Sequence, residues 1–89
     1  MGGRLERALE AGLRSLPYVA MVLPVETNIV IFKLHEPLSA ELFLQQLQHQ
    51  QVRALSVGRQ TIRFVFHLNV SDAQLEALLG ALRGIRVPA

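Results

Sequence analysis

Two stretches, residues 27–34 (TNIVIFKL) and 61–68 (TIRFVFHL), alternate in character with a period of two, and they constrain the fold more than any other part of the chain. Successive side chains of a strand point to opposite faces of its sheet. In the first stretch Asn28, Val30, Phe32 and Leu34 share one face, and Ile29, Ile31 and Lys33 share the other. In the second, Ile62, Phe64, Phe66 and Leu68 lie opposite Arg63, Val65 and His67. Residues 27–34 are largely apolar on both sides, which predicts a central strand rather than an edge.

Helical periodicity brackets these strands. Leu5, Ala8, Leu9, Gly12, Leu13 and Leu16 form a 3.6-residue stripe opposite Arg4, Glu6, Arg7, Glu10 and Arg14, and Pro17 stops the helix. A second helix opens after Pro37 with Ser39 as its N-cap and Glu41 in its first turn. Its stripe is Ala40, Phe43, Leu44 and Leu47, and the glutamine-rich QQLQHQQ is expected to be its exposed face. Ser71 and Gln74 have capping-box spacing ahead of a third stripe, Leu75, Leu78, Leu79, Leu82 and Ile85, with Gly84 near its end. Residues 18–23 and 52–57 read as short strands, and Gly58-Arg59-Gln60 as a three-residue hairpin turn.

The order is therefore α-β-β-α-β-β-α, an α+β chain folded as a two-layer sandwich with a roughly four-stranded sheet and helices on one face. The face bearing Arg63 and His67 is left open. Its aliphatic neighbours Ile29, Ile31 and Val65 make it a docking surface.

Composition narrows the classes. The 89 residues form a single domain, 1–89, with 51% hydrophobic and only 18% charged residues, which excludes disorder. Without cysteine there is no disulfide framework and no thiolate metal site, which fits a reducing, cytoplasmic compartment. No apolar run reaches the ~18–20 residues of a membrane span. The opening MGGRLERALE lacks an apolar signal core, and Glu6 stands where a myristoylation motif needs Ser or Thr. A net charge of +2 from scattered arginines gives no nucleic-acid footprint.

The polar inventory is small. No protease, hydrolase, P-loop or dinucleotide-binding motif is present, and no nucleophile is spaced with a base. No catalytic residue and no metal ligand set is expected in the chain. His35 and His49 read as solvated, and Lys33, the sole lysine, as an outward-facing strand residue. Arg63 differs, because a guanidinium in mid-strand between Ile62 and Phe64 is partly desolvated and requires an anionic partner. The residues leave the readings open: a structural salt bridge to Glu26 or Asp72, a plain surface arginine, or an anion site at an interface.

The run Thr61-Ile62-Arg63-Phe64-Val65-Phe66-His67-Leu68-Asn69-Val70-Ser71 resembles the I-R-x-V-T-H-x-x-V-S signature near the C-terminus of L-threonine aldolases. Pro24-Val25-Glu26-Thr27-Asn28-Ile29-Val30 is similar to the Q-x-T-N-I-V strand of the same family, and the spacing between the two agrees. The likeness spans essentially the whole chain. These are pyridoxal-phosphate enzymes of the aspartate-aminotransferase fold type. The resemblance implies a small C-terminal domain of a usually oligomeric lyase that cleaves a β-hydroxy-α-amino acid, such as threonine, to glycine and an aldehyde. It implies that Arg63 binds the α-carboxylate of the substrate. His67 and Asn28 match motif positions without an assigned role. The aldimine lysine, the ring-stacking histidine and the phosphate-binding loop belong to the family's large domain. The chain alone is thus expected to hold no cofactor and to be inactive. Phe66 stands where the family has threonine, on the face opposite Arg63.

Two other classes compete. A stand-alone ligand-binding or interaction module would use the same open face, although the element order departs from the βαββαβ ferredoxin-like pattern. RNA recognition fits poorly, because the aromatics of 61–68 share the helix-covered face.

Overall fold

The computed structural model describes residues 3–23, 28–47, 52–66 and 71–88. Seven elements follow in order: α1 (Gly3–Arg14), β1 (Val19–Val22), β2 (Ile29–Leu34), α2 (Ala40–Gln46), β3 (Val52–Gly58), β4 (Thr61–Phe66) and α3 (Asp72–Arg83). The order and class are those the periodicities predict. The four strands form one antiparallel sheet in the order β1-β2-β4-β3, so the two strongly alternating strands lie side by side at its centre.

Their pairing is fixed by what they bury. Val30 opposes Phe64 and Phe32 opposes Ile62, and all four side chains are fully enclosed. Phe32 meets Phe64 edge-on at 5.0 Å between ring centres and Phe43 of α2 at 5.6 Å, the geometry the ring quadrupole favours. Leu9 and Leu13 of α1, Leu38, and Leu75, Leu78 and Leu82 of α3 complete one continuous core on this side of the sheet. A one-residue slip between β2 and β4 would turn every one of these side chains to the wrong face.

Local signals set the helix ends. The Ser39 hydroxyl accepts from the Leu42 amide at 3.1 Å, and Ser71 and Gln74 form the full capping box at 3.1 and 2.8 Å. Gly12 lets α1 approach α3, since a Cβ there would come within 2.5 Å of Leu79 Cδ2. Tyr18, buried between α1 and β1, donates its hydroxyl proton to the Leu82 carbonyl at 2.6 Å and so ties the first half of the chain to α3.

Three details depart from the sequence reading. The β3–β4 connection has two loop residues, Arg59 and Gln60, because Gly58 already pairs with Thr61; the odd residue is absorbed as a register irregularity between Ser56 and Gly58. Gly58 needs no positive φ. The loop is held instead by its carbonyls, with Gln60 accepting from the Leu34 amide and Arg59 from the Ala40 amide. α2 also ends earlier, at Gln46, with Leu47 extended. Gln46 is not simply a solvated face residue: its amide pairs with both backbone groups of Arg86, each at 2.8 Å. The third departure is in β1, where a bulge around Ala20 turns both Ala20 and Met21 outward.

Candidate functional site

The helix-free face of the sheet is assembled from all four strands. The register places Lys33 beside Thr61 in one cross-strand row, Ile31, Arg63 and Leu55 in the next, and Ile29, Val65 and Arg53 in the third. Met21 adjoins Lys33 from β1. Reading across β2, β4 and β3, the three cations Lys33, Arg63 and Arg53 fall on one diagonal. Diagonal neighbours in a sheet stand about 7–8 Å apart. Aliphatic side chains flank the line: Ile29, Ile31 and Val65 on one side, Leu55 on the other.

Arg63 is the centre of this face. It is half-buried, with Ile31 and Leu55 directly opposite it on the two neighbouring strands. Among the described residues it forms no ion pair or hydrogen bond. The expected structural bridge to Asp72 is therefore not made, and Glu26, the other proposed partner, lies outside the described residues. An unpaired guanidinium held between aliphatic chains on a central strand has five N–H donors and no acceptor of its own. It suits a planar carboxylate, which it meets through two parallel hydrogen bonds.

Each remaining sequence candidate has its place. Lys33 is exposed, as an outward-facing strand residue should be, and His35 is exposed after β2. Asn28 is half-buried in the turn that leads into β2, next to the row of Ile29 and Val65. His67 and His49 lie outside the described residues, as do 24–27 of the T-N-I-V likeness. Arg53 and Leu55 were not singled out by the sequence reading. The alternation of VRALSV would have found them, since Arg53 and Leu55 share a parity opposite to Ala54, which packs against the core.

The face carries one sign of charge. Every described residue on it that ionises is a cation, whereas Glu10, Glu41, Asp72 and Glu76 sit on helices and Glu36 sits in the turn after β2. Elsewhere, an open cavity of about 300 Å³ lies between the start of α2 and the β3–β4 loop, lined by Ser39, Glu41, Ser56 and Arg59. Among the described residues no group of three or more His, Asp or Glu side chains converges to hold a metal ion, and no described helix is long and apolar enough to cross a membrane. Comparison with protein-family models and with curated proteins finds no match for the chain.

Proposed function

We propose that the chain is the small C-terminal domain of a pyridoxal-phosphate-dependent lyase like the L-threonine aldolases, and that Arg63 binds the α-carboxylate of its β-hydroxy-α-amino-acid substrate. The observation that carries this reading is Arg63 itself: half-buried, unpaired among the described residues, and central on a face that none of the described helices covers. The motif likeness suggests the family, and the unpaired guanidinium on an open sheet face supports a carboxylate-binding role for Arg63.

The residues of this chain do not themselves fit the cofactor. Lys33, its sole lysine, stands exposed on a flat sheet face and does not line the cavity near α2. The cofactor belongs to the large domain of the parent enzyme, where it supplies the electron sink for the bond being cleaved. What this chain contributes is orientation. A two-point guanidinium–carboxylate pair fixes the plane of the carboxylate and the direction of its bond to Cα. With the amino group held by the large domain as a second anchor, the Cα–Cβ bond is left one orientation, which is worth rate as well as affinity. The aliphatic neighbours of Arg63 exclude water from the pair and strengthen it.

Three measurements test the reading. Antibodies to the chain are expected to detect, in the native cells, a product several times larger than 9.9 kDa; a product of 89 residues alone refutes the parent enzyme. In the full-length product Arg63→Ala is expected to raise KM for threonine by about a hundredfold, from loss of a desolvated charge pair. The 89-residue chain alone is expected to release no glycine from threonine, and release would overturn its assignment as a domain that is inactive by itself. If the product proves to be the short chain, Arg63 and its flanking cations favour the second reading, a free-standing carboxylate-binding or interaction module.

A further inference from the structure

The diagonal of Lys33, Arg63 and Arg53 has a consequence beyond substrate binding. Three like charges in neighbouring diagonal positions repel one another, and each aliphatic neighbour that displaces water makes the repulsion worse. No acid on the face relieves it among the described residues. Lys33 and Arg53 are exposed, so solvent and salt screen the repulsion in the uncovered face, and the arrangement gains when negative charge is brought to it.

The shape and chemistry of the face narrow the occupant. Four strands spaced by ~4.8 Å and about six residues long span roughly 400 Å², shared between the aliphatic side chains and the three cations. A second copy applied face to face would set cations against cations, so self-pairing is disfavoured. Three cations are fewer than the roughly 4–8 of a basic cluster that holds an anionic lipid surface or the roughly 6–10 phosphate contacts of a nucleic-acid binder, and the described side chains of the face offer no aromatic platform for bases. The buried aromatics Tyr18, Phe32, Phe43 and Phe64 are all in the core on the other side. What remains exposed is aliphatic, with Met21 and Leu55 each about half accessible, at 51%.

We infer that this face is the seat of an acidic, apolar polypeptide surface. Aliphatic side chains of that surface pack on Ile29, Ile31, Val65 and Leu55, and its Asp or Glu side chains pair with Lys33 and Arg53 at the two ends of the diagonal. Arg63 is left at the centre for the substrate carboxylate. The inference deepens the proposed function by giving the chemistry of the surface that faces the sheet, and it rests on that reading only in reserving Arg63.

The test places a photo-crosslinking benzoylphenylalanine at the exposed Leu55 position of the native gene product and identifies the captured peptide by mass spectrometry. The expected capture is an Asp- or Glu-bearing apolar segment of the same polypeptide. Its yield should fall about tenfold in the Lys33→Glu/Arg53→Glu background and persist in Lys33→Arg/Arg53→Lys. Capture of a separate polypeptide with that composition and that charge dependence leaves the inference standing and removes the proposed parent enzyme. Capture of residues 1–89 of a second copy, of lipid or of RNA overturns the inference, as does no capture or a yield indifferent to charge reversal.

Discussion

Replacing Tyr18 by Phe removes one hydroxyl from the core and makes stability depend differently on pH. Tyr18 is 5% exposed, and its hydroxyl donates to the Leu82 carbonyl at 2.6 Å. That carbonyl keeps a longer contact, at 3.3 Å, from the Ile85 amide and shares the Gly84 amide with the carbonyls of Gly80 and Ala81. Losing the hydroxyl therefore costs about 1 kcal/mol at neutral pH, the low end of the penalty for an abandoned buried acceptor. For a chain of this size that lowers Tm by about 4–8 °C. Burial also pushes the phenol well above its ordinary range, because the phenolate would lose its hydration. The unfolded chain ionises first, near pH 10, so the folded state binds the extra proton. This contribution to stability is complete below about pH 10 and is lost as pH rises toward the folded value. At pH 11 the wild type has lost about 1.4 kcal/mol through this residue, whereas Tyr18→Phe has lost none, so the gap closes or reverses. Urea denaturation of both proteins at pH 7 and pH 11 measures the difference, in which the remaining titrations cancel. Tyr18 is the only tyrosine and there is no tryptophan, so alkaline difference absorbance follows the same group directly. A native tyrosine titrating near pH 10, or a stability gap that does not change with pH, refutes the argument.

Two further outcomes follow from the packing. Gly80→Ala, in α3 with nothing within 4 Å of the new methyl, is expected to gain about 1 kcal/mol from helix propensity, whereas Gly12→Ala should lose that gain because Leu79 must move aside; paired thermal melts compare them. Arg63→Ala in the isolated chain should shift the denaturation free energy by less than about 0.5 kcal/mol, since no described ion pair is broken. A loss above 2 kcal/mol would show that Arg63 serves the fold rather than a ligand.

Much of the architecture is written locally. The stripe of Leu9 and Leu13, the Ser39 cap and the Ser71–Gln74 box each act within a few residues, so the helices are legible without the rest of the chain. The faces of β2 and β4 are equally legible, because period-two alternation needs only the strand itself. Features that require a distant partner are not. Gln46 looks like a solvated glutamine until Arg86 is placed against it, 40 residues later. The hairpin turn is misjudged by one residue because a bulge in β3 is invisible until the pairing is known.

The candidate site divides in the same way. The sequence by itself determined that Arg63 shares a face with Val65, that Lys33 shares one with Ile29 and Ile31, and that the opposite faces are core. Only the tertiary structure decided that β3 joins the sheet beyond β4, and that the registers align Lys33, Arg63 and Arg53 on one diagonal. A two-residue slip in either pairing would keep every side chain on its proper face and still break that line. The register is set instead by how Phe32, Phe64 and Phe43 interlock across the core. Such non-local packing leaves no mark in the period of any single strand.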